Sequence, residues 1–212
     1  MKKTSLALLV AMLLPAFAQA HQEGDFIVRA GTATVRPNAG GDTVLNVSSF
    51  KVDNDTQLGL TFSYMVTDNI GVELLAATPF THNVGLQTIG KIAQVSHLPL
   101  SLMAQYYFRD AKDKLRPYLG VGINYTLFFD EKFNDRGKNL GLGLSDLSVK
   151  NSWGVAGQAG LDYNLDKNWL INASVWWMNI DTDVRFNSSL GPQSIGTRLD
   201  PFTFMFGVGY RF

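Results

Sequence analysis

Apolar and polar positions alternate with a period of two through the last thirteen residues, Asp200 to Phe212, which show the clearest pattern in the chain. One set of alternate positions is apolar throughout: Phe202, Phe204, Phe206, Val208, Tyr210 and Phe212. The other set is mostly small or polar. Because successive side chains of a β-strand point to opposite faces of a sheet, the pattern predicts a strand with one apolar face. A soluble sandwich would need a second sheet to cover that face, whereas a membrane could cover it directly.

Seven earlier stretches alternate in the same way and are also predicted to be strands. They are Phe26–Val35, Thr56–Val66, Ile70–Phe80, Leu98–Phe108, Arg116–Phe128, Lys150–Tyr163 and Asn168–Ile180. Four long segments, predicted to be loops, alternate with short turns between the strands: Arg36–Asp55, Thr81–His97, 129–149 and Asp181–Gly196. Within the third loop, Ser145–Ser148 is predicted to form a short helical turn.

An even number of strands of about eleven residues, with every long loop on one side, is typical of an outer-membrane barrel. Closure of the sheet removes the unpaired edges that lipid would not tolerate. The predicted fold is therefore all-β: an eight-stranded antiparallel transmembrane β-barrel with up-and-down meander topology. Aromatic residues near the strand ends predict two interfacial girdles, which a soluble sandwich would not need. They are Phe26, Tyr64, Tyr106, Tyr163, Trp169 and Tyr210 near the short turns, and Phe80, Phe128, Trp153 and Phe202 near the long loops.

The first twenty residues have the features of a secretory signal peptide. Lys2 and Lys3 precede an apolar run, Leu6–Leu14, and Ala18-Gln19-Ala20 forms a small-x-small cleavage site. No later segment has about 18 uninterrupted apolar residues, as a membrane-spanning helix would require. The prediction is a signal peptide at 1–20 and one outer-membrane barrel domain at 21–212.

Charge and cysteine content argue against two other classes. Acidic and basic residues number 18 each, so no single-sign field indicates a nucleic-acid partner. Cysteine is absent, so an exported chain of this kind is not a disulfide scaffold.

The inward-facing positions near the short turns include charged and polar residues. They are Arg29, Glu73, Gln105, Asp162 and Arg211. In an eight-stranded barrel the lumen is just wide enough for side chains to fill, so these groups are expected to pair as a polar plug rather than line a wide water channel. A proton or ion relay is the less favoured alternative.

Further toward the long loops, the inward-facing set becomes apolar. It contains Leu75, Met103, Trp176, Met178 and Met205. These side chains either line an apolar cavity for a ligand or simply fill the barrel as a core. If a cavity exists, Trp176 and Leu75 are expected to line or gate the route through it, since both face inward at similar height.

Three prolines indicate an interruption in the barrel wall, because proline removes a donor from the ladder of backbone hydrogen bonds. Pro79 and Pro99 lie near the loop ends of the third and fourth predicted strands, and Pro117 lies at the turn end of the fifth. A lateral gap between the third and fourth strands is the hypothesis. Pro117 is equally consistent with a simple strand end.

The histidines and the motif content predict no catalysis. His21 lies at the expected mature start, and His82 and His97 lie in the second predicted loop. The last two could approach each other as a weak metal site or a pH-sensitive pair, but solvated loop residues are the favoured interpretation. No nucleophile, metal-ligand or phosphate-loop motif is present, so no enzyme, cofactor or metal site is predicted.

Several long runs resemble the outer membrane protein W family of Gram-negative bacteria: DFIVRAGTATVRP, NDTQLGLTFSYMVTDNIGVELLAATPF, RPYLGVGINYTLFFDE, LSDLSVKNSWGVAGQAGLDY and RLDPFTFMFGVGYRF. The resemblance covers essentially all of residues 21–212. It implies a narrow barrel in the outer membrane with an apolar interior pocket, which assists passive uptake of small hydrophobic molecules and releases them sideways into the membrane.

The resemblance also implies partners. These are the lipid bilayer with its lipopolysaccharide, small hydrophobic solutes, and bacteriocins or phages that use the loops as receptors. Gly207, Tyr210 and Phe212 resemble the C-terminal signal that the barrel-assembly machinery reads. Two alternatives stay open: a structural or adhesive barrel with a filled interior and, less favoured, a lipid-modifying enzyme.

Overall fold

The computed structural model describes residues 21–38, 40–41, 50–86 and 89–212. The predicted signal peptide lies outside the described residues. The described strands are β1 (Phe26–Arg36), β2 (Gly40–Gly41), β3 (Phe50–Val52), β4 (Asp55–Met65), β5 (Ile70–Ala77), β6 (Phe80–Leu86), β7 (Gly90–Tyr107), β8 (Leu115–Phe133), β9 (Ser145–Val149), β10 (Ser152–Asn164), β11 (Trp169–Met178), β12 (Asp181–Ser188), β13 (Gly191–Arg198) and β14 (Phe202–Arg211). A short helix, α1 (Asp135–Lys138), follows β8. No helix in the described ranges is long and apolar enough to cross a membrane.

Eight of these strands form a closed antiparallel barrel. Each pairs with the next in the order β1, β4, β5, β7, β8, β10, β11 and β14. β14 then closes the ring by pairing with β1, from Ile27↔Arg211 to Arg36↔Phe202. Gly31 and Gly207 face each other in this closing ladder, and a Cβ on Gly31 would overlap the Phe206 carbonyl. The predicted fold class is confirmed.

The remaining strands extend the barrel wall at the end where the long loops were predicted, here called the loop end; the opposite end is the turn end. β6 pairs with the first half of β7, from Phe80↔His97 to Leu86↔Gly90, and β3 pairs with β6. A second sheet, in the order β2-β13-β12-β9, forms from segments that connect the barrel strands at this end.

Two of the loop predictions and the predicted helical turn are therefore wrong. Thr81–His97 and Asp181–Gly196 lie within the hairpins β6–β7 and β12–β13. In these hairpins the backbone N–H and C=O groups of one strand bond to those of the other, so the strands continue beyond the membrane. Ser145–Ser148 belongs to strand β9 instead of a helical turn, and the helix lies earlier, where the Asn134 side chain caps α1 by accepting from the Gly137 N–H. In the first predicted loop, residue 39 and residues 42–49 lie outside the described part of the chain.

The outer surface of the barrel carries the apolar band that alternation predicts. Large exposed side chains on it include Leu119, Val121, Ile123, Phe204 and Phe206. The turn-end aromatics Phe26, Tyr64, Tyr106, Tyr163 and Trp169 are exposed, as are Trp153 and Phe202 toward the loop end.

Two aromatics assigned to the loop-end girdle face inward instead. Phe80 is buried and stacks on the His97 ring, with 5.5 Å between the ring centroids. It does so because the chain breaks at Thr78–Pro79 before β6 begins, which resets the alternation. Phe128 lines an interior cavity.

Candidate binding cavity and the polar layer beneath it

A buried arginine organises the turn-end half of the barrel interior. Arg29 on β1 donates from Nη1 to Glu73 Oε2 at 2.8 Å and to Ser63 Oγ at 2.7 Å. It donates from Nη2 to Asp162 Oδ2 at 2.5 Å and to Tyr107 OH at 3.0 Å. The charged side chains of this group are all fully buried. Each carboxylate thus has a cationic partner, which a buried charge requires.

Amide side chains complete this layer around Glu73. Gln105 Nε2 donates to Glu73 Oε1 at 2.9 Å and to Gln158 Oε1 at 2.8 Å, and Gln158 Nε2 donates to the same Glu73 oxygen at 2.9 Å. On the other side, Asn172 Nδ2 donates to Asp162 Oδ1 at 2.7 Å. We call this connected group the polar layer: Arg29, Ser63, Glu73, Gln105, Tyr107, Gln158, Asp162 and Asn172. It connects side chains from β1, β4, β5, β7, β10 and β11 across the lumen.

Of the five residues expected in a plug, the structure brings four together and places Arg211 elsewhere. Arg211 lies at the turn-end rim, where Nε is 3.6 Å from Asp25 Oδ2 and Nη2 donates to the Lys167 carbonyl. Its position in the register explains the separation, because Arg211 pairs with Ile27 whereas Gly209 pairs with Arg29.

Sequence reasoning missed two buried cationic or ionisable groups beside this layer. His21 Nε2 lies 2.6 Å from Asp162 Oδ2, and its ring stands edge-on to Tyr107. Arg116 donates to the backbone carbonyls of Phe108 and Asp68. The inward phase of strand alternation could have found Arg116, along with Gln158 and Asn172. Nothing in the sequence pattern indicates that His21, which precedes the first strand, folds back into the barrel.

The apolar residues expected to line the lumen pack as a core above the polar layer. Leu75, Met103, Trp176 and Met178 form one buried cluster with Ala156 and Ile180. Trp176 is fully buried, and its Nε1 donates to Ser174 Oγ at 3.2 Å. Met205 is also buried but lies outside this cluster, where its sulfur faces Gly59.

An apolar cavity lies nearer the loop end, and its wall comes from other residues. It has a volume of about 100 Å³. Its described lining is aliphatic and aromatic apart from four polar side chains, and includes Val84, Ile92, Phe128, Phe133, Leu140, Leu144, Leu147 and Phe186. The assignment of Leu75, Met103, Trp176, Met178 and Met205 to the cavity wall is corrected accordingly. The reason is that the hairpins lengthen the barrel. The cavity therefore lies on the loop-end side of the region that the membrane-spanning strands enclose.

The four polar side chains in the described lining are those of His82, His97, Thr182 and Thr197. The imidazole rings of His82 and His97 stack with 5.0 Å between centroids and 15° between planes. Both are buried, so their interpretation as solvated loop residues is wrong. No group of three or more metal-ligating side chains occurs in the described ranges.

Both histidines lie outside the membrane-spanning segments, since His97 pairs with Phe128, three residues beyond Tyr125, and Tyr125 pairs with the exposed girdle residue Trp153. Burial lowers the pKa of His97 to about 3, and neighbouring His82 adds to the effect. Burial also lowers the pKa of His82, although Nδ1 of His82 lies 2.6 Å from the Asp53 carbonyl oxygen. Both rings are therefore neutral at pH 7.

The barrel wall has an interrupted seam between β5 and β7. Pairing runs from Ile70↔Tyr106 to Leu75↔Ser101 and resumes only at Phe80↔His97, on β6. Pro79 lies in the break, and Pro99 faces it from β7. Pro117 lies elsewhere, in the regular ladder between β8 and β10 opposite Leu161, and takes no part in the seam.

A closed eight-stranded barrel with an apolar outer surface, interfacial aromatics and a charged, buried interior defines an outer-membrane β-barrel protein. A sequence model of the OmpW family matches residues 22–212, and the chain belongs to that family. Outer membrane protein W of Escherichia coli (strain K12) is 58% identical over 212 residues, covering 100% of this chain and 99% of that protein. Outer membrane protein AlkL of Ectopseudomonas oleovorans is 30% identical and covers 93% of this chain and 86% of its own length.

A solved structure supports the same placement. The crystal structure of outer membrane protein OprG from Pseudomonas aeruginosa superposes with a TM-score of 0.84 at 42% identity, and covers 92% of this chain and 98% of that one. The family resemblance and the outer-membrane location in Gram-negative bacteria are confirmed.

Proposed function

We propose that this barrel admits small apolar solutes from outside the cell through the loop-end cavity and releases them sideways into the membrane at the seam between β5 and β7. The observation that carries the proposal is the cavity itself. Hydrophobic walls with a few polar groups are typical of small-molecule sites, and the described lining contains no charged side chain.

The interior below the cavity supports a sideways route. The cluster around Trp176 fills the lumen, and the polar layer crosses it nearer the turn end. An apolar solute travelling along the axis would have to displace a packed core and then enter a hydrogen-bonded ionic network. The seam offers a shorter way, since His97 lines the cavity and also marks the loop-end limit of the break.

The test is to close the seam covalently. The chain contains no cysteine, so paired cysteines can be introduced without competing thiols. Ala76→Cys with Leu100→Cys places one thiol on each side of the break. The matched control, Ala159→Cys with Val175→Cys, joins two residues directly paired in an intact ladder between β10 and β11.

We expect oxidation of the seam pair to slow entry of an apolar fluorescent solute into vesicles whose outer leaflet contains lipopolysaccharide, and reduction to restore it. The barrel with the control pair should admit the solute at the same rate in both redox states. Unchanged flux through the oxidised seam would reject lateral release. Absence of protein-dependent flux in the unmodified barrel would reject solute uptake altogether.

The filled core at Trp176 also favours a second candidate, a structural or adhesive barrel whose loop-end hairpins bind another surface. A bacteriocin or phage receptor role belongs to this candidate. It predicts a cavity that never exchanges ligand, so the same flux measurement separates the two. We assign the barrel no catalytic role and no cofactor.

A further inference from the structure

We propose that an outward-facing groove at the loop end binds the phosphorylated sugar headgroup of lipopolysaccharide, with a phosphate at Lys150 and Arg198 and the sugar against Trp153. This inference concerns the outer surface of the barrel. It does not depend on the solute route through the interior.

The groove lies between the second sheet and the start of β10. Its volume is about 710 Å³, which is within the range of small-molecule sites. Gly196 forms part of its floor and pairs with Asp183 across the hairpin β12–β13. A Cβ on Gly196 would meet no atom within 4 Å, so the floor is open at this point.

The position of Trp153 places the groove at the membrane surface. Its indole is 69% exposed and packs on the Tyr125 ring, with 4.4 Å between the ring centroids. Tryptophan rings of an interfacial girdle lie at the level of the lipid headgroups. The groove continues from this ring along β12 and β13, away from the membrane. In the outer leaflet of a Gram-negative outer membrane, the headgroup at this level is the phosphorylated glucosamine disaccharide of lipopolysaccharide.

Arg198 presents free donors in the groove. Its Nε donates to Asp181 Oδ1 at 3.2 Å and lies 3.6 Å from Asp200 Oδ2, whereas Nη1 and Nη2 make no hydrogen bond within the described residues. Both carboxylates also accept from the Asn179 side-chain amide. They therefore hold the guanidinium by one edge and leave the other edge available. Such a planar pair of donors matches the oxygens of a phosphate.

Lys150 supplies a second cation to the same groove. Its side chain is 68% exposed, and Nζ lies 3.9 Å from Asp183 Oδ2, a loose contact. Asp181 and Asp183 are alternate residues on one face of β12, so they lie about 7 Å apart. The two cations that contact them are thus within reach of a single headgroup.

Two further groups favour a phosphorylated sugar over a phosphate alone. The Asp183 carboxylate makes no hydrogen bond in the described part of the chain, and an ionised carboxylate can only accept, as from a sugar hydroxyl. The face of the Trp153 ring carries partial negative charge, which attracts the C–H groups on the face of a sugar. A glycerophospholipid headgroup supplies the phosphate but offers no ring to Trp153.

Three lipids separate these contributions. They are lipid A with both phosphates, the same lipid A after removal of the phosphates, and phosphatidylglycerol, which has a phosphate and no sugar. Native mass spectrometry of the purified barrel in detergent measures the affinity of each. Because exposed ion pairs contribute modestly, we expect phosphorylated lipid A to bind about tenfold more tightly than either of the others.

Variants then locate the binding. Lys150→Gln with Arg198→Gln should reduce the affinity for lipid A to that of its dephosphorylated form. Gly196→Leu fills the floor without changing any charge and should also weaken binding. The matched control, Lys51→Gln with Lys132→Gln, removes the same charge from exposed loop-end positions that do not line the groove, and should bind lipid A as the unmodified barrel does. The gel shift of the heat-modifiable barrel verifies folding; if Gly196→Leu does not fold, the charge variant still decides.

Each contrary result would overturn the proposal. Equal affinity for lipid A with and without phosphates would reject the phosphate site, and equal affinity for phosphatidylglycerol would reject recognition of the sugar. Equal weakening in the groove variant and the control would show general attraction between charges instead of binding in this groove. None of these results changes the expected solute flux, so the proposed function stands or falls separately.

Discussion

Arg29 and Asp162 are joined by two hydrogen bonds across the barrel interior, Nε to Oδ1 at 3.2 Å and Nη2 to Oδ2 at 2.5 Å, although 133 residues separate them in the chain. Glu73 binds the same guanidinium from another strand. One cation therefore compensates two fully buried carboxylates, and the network depends on it.

Replacing that cation should destabilise the barrel strongly. In Arg29→Met, two carboxylates would stay buried without their charge partner, and we expect a loss of about 3–5 kcal/mol in the free energy of unfolding. Urea unfolding in lipid vesicles, followed by the gel shift of the heat-modifiable barrel, measures it.

A compensated variant and a surface control test the cause. Adding Glu73→Gln and Asp162→Asn to Arg29→Met removes the uncompensated charge and should recover most of the loss. Exposed Arg185→Met should change stability by no more than about 0.5 kcal/mol. A triple variant as unstable as Arg29→Met would show that packing, and not charge, explains the effect.

The stacked histidines should make the loop-end hairpin of β6 and β7 sensitive to acid. The pKa of His97 is about 3 in the folded protein and that of His82 is also lowered, whereas an unfolded histidine titrates near 6.5. The unfolded state therefore binds protons at a higher pH than the folded state. The stability contributed by the neutral rings is complete above about pH 6.5 and is lost progressively as the pH falls toward 3.

Limited proteolysis between pH 7.5 and 4.5, with an acid-tolerant protease and a pH-matched unfolded substrate as reference, would follow this opening. His97→Phe should make cleavage within the hairpin less pH-dependent, because phenylalanine can still stack between Phe80 and His82. Cleavage with the same pH dependence in both proteins would contradict the assignment to His97.

Removing Trp176 should weaken the barrel without opening an axial channel. The side chain is fully buried, so Trp176→Ala should cost about 3–5 kcal/mol through the cavity that it leaves. The polar layer still crosses the lumen below it, so ion conductance in planar bilayers should stay at background.

Trp177→Ala is the neighbouring control, since Trp177 faces outward on the same strand and should cost less. A stable, ion-conducting Trp176→Ala barrel would show that the core around Trp176 is the barrier and the polar layer is not.

The terminal aromatic should matter for assembly more than for ligand binding. The Phe212 N–H donates to the Phe26 carbonyl at 2.9 Å, and its ring lies edge-on to Tyr210 at 4.8 Å. Deleting Phe212 removes the last contact of the closing ladder between β1 and β14. By our hypothesis, it also removes part of the signal formed with Gly207 and Tyr210. We expect a lower yield of heat-modifiable barrel in membranes, with entry of the apolar fluorescent solute unchanged per folded molecule.

Phe206→Ala, a lipid-facing change on the same strand, provides the comparison and should reduce yield less. Insertion of the truncated chain at normal yield would contradict an assembly role for Phe212.

Local patterning was sufficient to predict the barrel strands, because a spanning strand must alternate between lipid and lumen whatever its neighbours are. It failed at the loop end. Thr81–His97 has no clean alternation of apolar and polar residues. Its strand pairing depends on β7 continuing beyond the membrane. It also depends on the break at Pro79, which shifts the inward-facing positions by one residue.

The candidate site shows the same division. Alternation identified four inward-facing polar residues: Arg29, Glu73, Gln105 and Asp162. It could not show that the Arg211 side chain lies beside Asp25 at the rim. Nor could it show that His21 folds back onto Asp162. It placed Trp176 and Met178 inside the barrel, but could not distinguish a packed core from a cavity wall, since both require inward-facing apolar groups.

The sequence by itself therefore determined the membrane-spanning strands and their lipid-facing surface, because both follow from a period of two along each strand. Only the tertiary structure decided where empty space lies and which inward-facing polar groups meet. The cavity is bounded by segments distant in sequence, from Val35 on β1 to Pro201 just before β14, and the bidentate contact of Arg29 with Asp162 joins residues 133 positions apart. Such relationships arise when the strands are brought into register around a common lumen.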